Sequence, residues 1–250
     1  MPTRYFMEIQ YHGANYHGWQ VQKNATTVQE VINEALSKTL AAPINCVGSG
    51  RTDTGVHAIQ QFAHFDCDVP VNANHLVYRL NSFLPPDISV KRIFPVQKEA
   101  HARFDAEKRA YRYYIHSHKD PFKKETSYYF PHTLNIQWMN EAARRLLGVQ
   151  DFESFSRVKT DVNHFMCEVF QANWEIVENG LVFHVSADRF LRGMVRALVG
   201  TLLDIGQCKL SVEDMTFILG QKNRQKAGRA VPACGLFLTE VKYPSTIYLD

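Results

Sequence analysis

Gly48-Ser49-Gly50-Arg51-Thr52-Asp53-Thr54-Gly55-Val56-His57, running on into Ala58-Ile59-Gln60-Gln61-Phe62-Ala63-His64-Phe65-Asp66, is the stretch on which the reading of this chain turns. Three glycines within its first eight positions imply a tightly turned, exposed backbone, because glycine enters positive-φ conformations without steric cost. Residues 59–66 read as a strand. The glycines therefore sit on a loop carried by a rigid element, a common place for catalytic groups. Asp53 supplies a carboxylate, a nucleophile that needs no separate base because it has no proton to lose. Arg51, two residues away, can hold that carboxylate charged and can also meet a phosphate through two parallel hydrogen bonds. The same residues also describe an Asx-turn beside a surface arginine. Two nucleotide-binding patterns fail on spacing. GxGxxG is interrupted by Asp53, and GxxxxGK[ST] would need lysine where Val56 follows Gly55.

Outward from this loop the chain alternates strand and helix signals. Tyr5, Met7, Ile9 and Tyr11 keep the period of a strand. Thr27 followed by Glu30 is a capping box, and Val28, Val31, Ile32, Ala35, Leu36, Thr39 and Leu40 then fall on one helical face. A short helix is expected over 73–83, stopped by Pro85-Pro86, with a strand over 88–94. A second set follows. Tyr111, Tyr113 and Ile115 alternate with Arg112, Tyr114 and His116. Met139, Ala142, Ala143, Leu146 and Leu147 mark a helix ended by Gly148. Residues 170–178 and 181–187 form a hairpin about Asn179-Gly180, a pair suited to a type I′ turn. A buried helix is expected over 190–205, another from Ser211, and a closing strand over 236–243. Without strict βαβ alternation the fold class is α+β, with an antiparallel or mixed sheet. The expected division is an N-terminal half over 1–103 and a C-terminal half over 104–250.

Composition sets the outer bounds. With 250 residues, 45% hydrophobic and 21% charged, the chain can bury a sizeable core. No apolar run reaches the 18 or so residues that span a bilayer. The opening MPTRYFMEIQYHG has no apolar signal region, so a cytoplasmic address is expected and no membrane partner. None of the five cysteines lies within four residues of another, which excludes a CxxC knuckle and favours reduced thiols. Net charge is only +3, but its distribution is uneven. Between Arg189 and Arg229 stand eight Lys/Arg against three acids, and Gln221 to Arg229 carries four cations with no acid. Such a segment suits a nucleic-acid backbone, or else is a solvated cationic surface. Two rival functions follow from the residues alone. His57, His64 and Asp66 would be the ligands of a metal-dependent nuclease, though His57 is off the strand register of the other two. A non-catalytic RNA-binding module would need no nucleophile.

The sequence resembles one family along nearly its whole length. Gly50-Arg51-Thr52-Asp53-Thr54-Gly55-Val56-His57-Ala58 is similar to the catalytic motif of the TruA-type tRNA pseudouridine synthases, which usually has Ala where this chain has Thr54. Tyr11-His12-Gly13 with Gly18-Trp19-Gln20, Tyr111-Arg112-Tyr113, Asp151-Phe152-Glu153-Ser154-Phe155, Phe190-Leu191-Arg192-Gly193-Met194-Val195-Arg196 and Pro232-Ala233-Cys234-Gly235-Leu236 resemble its other motifs, in order. The resemblance implies the pseudouridine synthase fold, two pseudo-symmetric halves with a cleft between them. It implies a homodimer acting on uridines 38, 39 and 40 of the tRNA anticodon stem-loop, without metal or organic cofactor. Asp53 becomes the expected nucleophile, Tyr111 the platform for the extruded base, and Leu236 a pocket-lining residue, with Arg51 at the same site. Arg192, Arg196, Lys222, Arg224, Lys226 and Arg229 are the expected tRNA contacts. Trp19 and Gln20 either touch RNA or fix the first strand, the structural role being favoured. Attack on C6, attack on C1′ and elimination to a glycal all remain open to Asp53.

Overall fold

The computed structural model describes residues 2–158 and 163–249. In chain order its main elements are β1 (Thr3–Tyr11), α1 (Val28–Leu40), β2 (Val47–Gly48), β3 (His57–Cys67), α2 (Ala73–Phe83), β4 (Ile88–Pro95), β5 (Lys108–His116), β6 (Tyr128–Tyr129), α3 (Ile136–Arg144), β7 (Gly148–Asp151), β8 (Met166–Val177), β9 (Gly180–Ala187), α4 (Met194–Gly206), α5 (Glu213–Gln221) and β10 (Leu236–Lys242). Strands and helices mix without βαβ order, so the fold is α+β, with mostly antiparallel pairs and parallel pairing at β3·β10 and β5·β6.

Two compact units divide the chain, one made of 1–107 with 237–250 and the other of 108–236. A division by sequence halves at 103/104 assigns the last strand to the second half. By contact it lies in the first unit, because Phe237 and Leu238 pair with His57 and Ala58 of β3.

In the first unit the strand order is β4-β1-β3-β10, with β2 on β3. β1 is buried on both faces. Tyr5, Met7, Ile9 and Tyr11 form the face read from the alternation, while Phe6 on the opposite face packs against Phe62, Phe94 and Tyr243. α1 begins with the expected capping box, and its buried residues Val28, Ile32, Ala35, Leu36 and Thr39 follow the expected stripe. Val31 and Leu40 sit at the edge of that stripe and are only half-buried.

In the second unit β5-β9-β8-β7 run antiparallel, with β6 on β5. The hairpin differs from the sequence reading in its turn. Val177 pairs with Gly180, so the two-residue loop is Glu178-Asn179. Only Asn179 has positive φ, +63°, whereas type I′ needs it at both central positions. Gly180 is glycine for another reason. A Cβ there would lie 2.0 Å from the Ile115 carbonyl oxygen of the neighbouring β5. α4 is buried all round, as expected, but it starts at Met194, after Gly193 at φ +74°.

Candidate active site

The catalytic-loop candidate lies in the first unit, leading into β3. Asp53, partly exposed, opens a tight turn. The Val56 amide donates to its carbonyl at 3.1 Å, and Gly55 takes φ +78° at the third position, as type II turns require. Arg51 and Thr54 are exposed. Thr54 occupies the second position of that turn, where most residues are accepted.

The amino-terminal segment is what holds this loop in place. The Trp19 amide donates to the Thr52 carbonyl at 3.2 Å, and the Gly55 amide donates to the Tyr16 carbonyl at 3.3 Å. The hydroxyls of Tyr11 and Thr52 share a buried hydrogen bond of 2.8 Å. Gly18 has φ +88°, and a Cβ on it would meet the Thr52 carbonyl oxygen at 2.4 Å. Trp19 is 1% exposed, and the Gln20 amide nitrogen donates to Gln29 at 2.9 Å. Trp19 is therefore part of the frame of the loop, while Gln20 is exposed and bonded to α1. Next to the turn, the Gly13 amide donates to Nδ1 of buried His57 at 3.0 Å, which makes that nitrogen an acceptor. The His57 ring lies between His12 and Phe237, each 4.4 Å away between centroids.

The three groups of the nuclease reading are committed elsewhere. His57 accepts from Gly13, His64 Nδ1 accepts from the Ala102 amide at 3.1 Å, and Asp66 pairs with Arg4 through two 2.8 Å hydrogen bonds. Burial, ahead of the nearby charges of Arg4 and His101, pushes His64 down to about 4. Among the described residues no group of three or more His, Cys, Asp or Glu is placed to hold a metal ion.

In the second unit the face of β5 that buries Tyr113 and Ile115 carries Tyr111 half-exposed. Its ring meets Phe190 edge-on at 5.1 Å and 88°. Sequence reasoning did not single out Phe190. Its only signal was a place in a matching motif just after β9, the strand beside β5. Tyr113 is fully buried and donates to the Pro232 carbonyl at 2.8 Å, and burial keeps its phenol protonated far above the usual range. Leu236 is 5% exposed at the start of β10.

The basic segment is partly consumed by its own architecture. Arg196 Nε donates to the Val231 carbonyl at 2.6 Å, and Arg224 donates to the Ala227 and Gly228 carbonyls at 3.2 and 3.0 Å. Burial lowers the Arg224 pKa from its ordinary value. Lys222 pairs with Asp151 at 2.9 Å, and Arg229 donates to the Tyr128 hydroxyl at 3.0 Å. Burial opposes ionisation of Asp151, but Lys222 and the Glu153 amide outweigh it and hold the carboxyl low. Ser154 fastens the same region, donating to the Ile218 carbonyl at 2.6 Å and accepting from the Asn223 amide at 2.9 Å. Arg192, Lys222, Lys226 and Arg229 are exposed, Arg196 and Arg224 only in part.

The sequence profile described as tRNA pseudouridine synthase matches residues 7–105 and 142–244. A protein named tRNA pseudouridine synthase A from Parabacteroides distasonis is 46% identical over 246 residues, covering 98% of each chain. One of the same name from Bacteroides thetaiotaomicron is 46% identical over 250 residues, 99% of this chain and 93% of its own. Another from Bacillus subtilis is 40% identical over 239 residues, 94% of this chain and 97% of its own. No helix among the described residues is long and apolar enough to cross a membrane. With this similarity running through both units, and with the Asp53 turn held by the amino-terminal motif, the chain belongs to the tRNA pseudouridine synthase family.

Proposed function

We propose that this chain isomerises uridine to pseudouridine at positions 38, 39 and 40 of the tRNA anticodon stem-loop, with Asp53 as the nucleophile and without a cofactor. The observation that carries the reading is the Asp53 turn. A partly exposed carboxylate sits in a glycine-bearing loop whose neighbouring peptides are fixed by Trp19 and Tyr16 and whose Thr52 side chain is held by Tyr11, in a chain of this family. The reaction breaks the C1′–N1 bond and makes a C1′–C5 bond; a proton leaves C5 and one is gained at N1. No electrons are exchanged, so the residues need supply only a nucleophile, a means of proton transfer and a grip on the base. A paired uridine must first be extruded, at a cost of a few kcal/mol. Tyr111, half-exposed at its strand and braced edge-on by Phe190, is the platform that recovers about 1–3 kcal/mol of this by stacking. Arg51 meets a phosphate near the target, Leu236 lines the base pocket, and the exposed Arg192, Lys222, Lys226 and Arg229 contact the tRNA backbone. The working form is a cytoplasmic homodimer.

Mapping pseudouridine in tRNA from cells lacking this chain tests the reading. Loss at positions 38–40, restored by the parent gene, is expected. Unchanged modification there, or loss only at other RNA sites, would overturn it.

A further inference from the structure

Asp53 has no secondary structure of its own to hold it, yet its two flanking peptides are fixed. On its far side the Asp53 carbonyl closes the turn with Val56 at 3.1 Å. On its near side Thr52 is held twice, through its carbonyl by Trp19 at 3.2 Å and through its side chain by Tyr11 at 2.8 Å. Thr52 and Tyr11 are 8% and 4% exposed, so this hydroxyl pair is shielded from water. Tyr11 reaches it from the last position of β1, where the pairing with β3 slips. Ile9 pairs with Gln61, but Tyr11 pairs with Ala58, leaving one extra residue on β3. Bulges of this kind re-aim side chains beside active sites. A buried hydroxyl left unpaired is costly, so the pair selects one orientation of residue 52.

We propose that Tyr11 and Thr52 are positioning residues, their shared hydrogen bond setting the direction in which Asp53 presents its carboxylate to the nucleotide. The proposal rests on the reading of Asp53 as nucleophile. Neither hydroxyl touches the substrate. Each acts through the backbone of residue 52, so its loss should slow chemistry without weakening tRNA binding.

The test measures single-turnover pseudouridine formation at saturating enzyme, tRNA affinity, and thermal unfolding for Tyr11→Phe, Thr52→Val, Thr52→Ser and the double variant Tyr11→Phe/Thr52→Val. A displacement of about 1 Å costs on the order of 100-fold in rate. Tyr11→Phe and Thr52→Val should each slow the chemical step by about 10- to 100-fold, with tRNA affinity within about twofold of the parent. The double variant should be no slower than the slower single, because both remove the same bond. Thr52→Ser should recover most of the rate lost in Thr52→Val. Should Tyr11→Phe fail to fold, the Ser/Val comparison at position 52 carries the test alone. Parent-like rates in Thr52→Val below its melting temperature, or equal losses in Thr52→Ser and Thr52→Val, would overturn the proposal. Asp53→Asn in the same assay separates the two levels of the argument. If it is inactive while Thr52→Val is parent-like, only the positioning role falls; if it turns over, the nucleophile assignment falls.

Discussion

Replacing Gly18 by alanine should cost far more activity than its one added methyl group suggests. Gly18 has φ +88°, and its new Cβ would lie 2.4 Å from the Thr52 carbonyl oxygen, next to Asp53. Ordinary contact begins at 3.4 Å, so the Thr52 peptide or the Gly18 backbone must retreat by 3.4 − 2.4 = 1.0 Å. The obstacle is main chain and cannot rotate away as a long side chain would. Left-handed backbone adds about 1–2 kcal/mol of strain for a residue with a Cβ. A 1 Å shift of the peptide before the nucleophile corresponds to about 100-fold in rate, or about 2.7 kcal/mol of transition-state stabilisation. Gly148→Ala is the matched control. It has nearly the same backbone, φ +86°, no atom within 4 Å of where its Cβ would lie, and a place in the other unit. It should lose about 1–2 kcal/mol of stability with kcat retained. Tritium release from C5-labelled uridine in pre-folded tRNA, under single turnover and below both melting temperatures, reads the difference. Equal kcat for Gly18→Ala and the parent would refute the claim that this close approach sets the loop.

Other outcomes follow from the same structure. Tyr111→Ala should lose at least about 1–3 kcal/mol of transition-state stabilisation in kcat/KM and Tyr111→Phe much less, whereas a stall after glycosidic cleavage in Tyr111→Phe would assign the phenol to proton removal from C5. Arg192→Ala with Lys226→Ala should flatten the dependence of log affinity on log salt, by about 0.9 for each duplex phosphate that is no longer neutralised. Arg224→Ala should instead lower the unfolding free energy by about 1–3 kcal/mol, because it strips two carbonyls of their donor. His64 is held neutral by burial, down to about 4 from an ordinary 6.5. The unfolded chain therefore takes up that proton first, and stability should fall as pH drops from about 6.5 towards 4; His64→Gln should flatten that part of the melting profile.

Local signals carried much of this fold in the sequence. The Thr27/Glu30 capping box and the Pro85-Pro86 stop each act within a few residues, and α1 and α2 were readable from them. The turn at Asn179 shows where such reading fails. Asn-Gly favours a tight hairpin, but Gly180 is required by the backbone of β5, more than sixty residues earlier, and the loop shifts by one residue. The position of β10 was equally hidden, because its pairing with His57 and Ala58 is a matter of long-range register. At the site, the loop and its carboxylate were legible from glycine spacing and family motif. What positions them was not. Tyr11 and Thr52 are 41 residues apart and meet only after β1 and β3 pair with a slip. Charge counting found the basic segment but could not foresee that Arg196 and Arg224 use donors on backbone carbonyls.

Asp53→Asn tests the central claim most directly, since it keeps the side chain's size and removes its charge and nucleophilicity. Pseudouridine formation at positions 38–40 and tRNA affinity should be measured on the same preparation, with folding checked by thermal melting. The account predicts no product at any enzyme concentration, with tRNA affinity within about tenfold of the parent, or about 1.4 kcal/mol. Turnover near the parent rate by folded Asp53→Asn would contradict it.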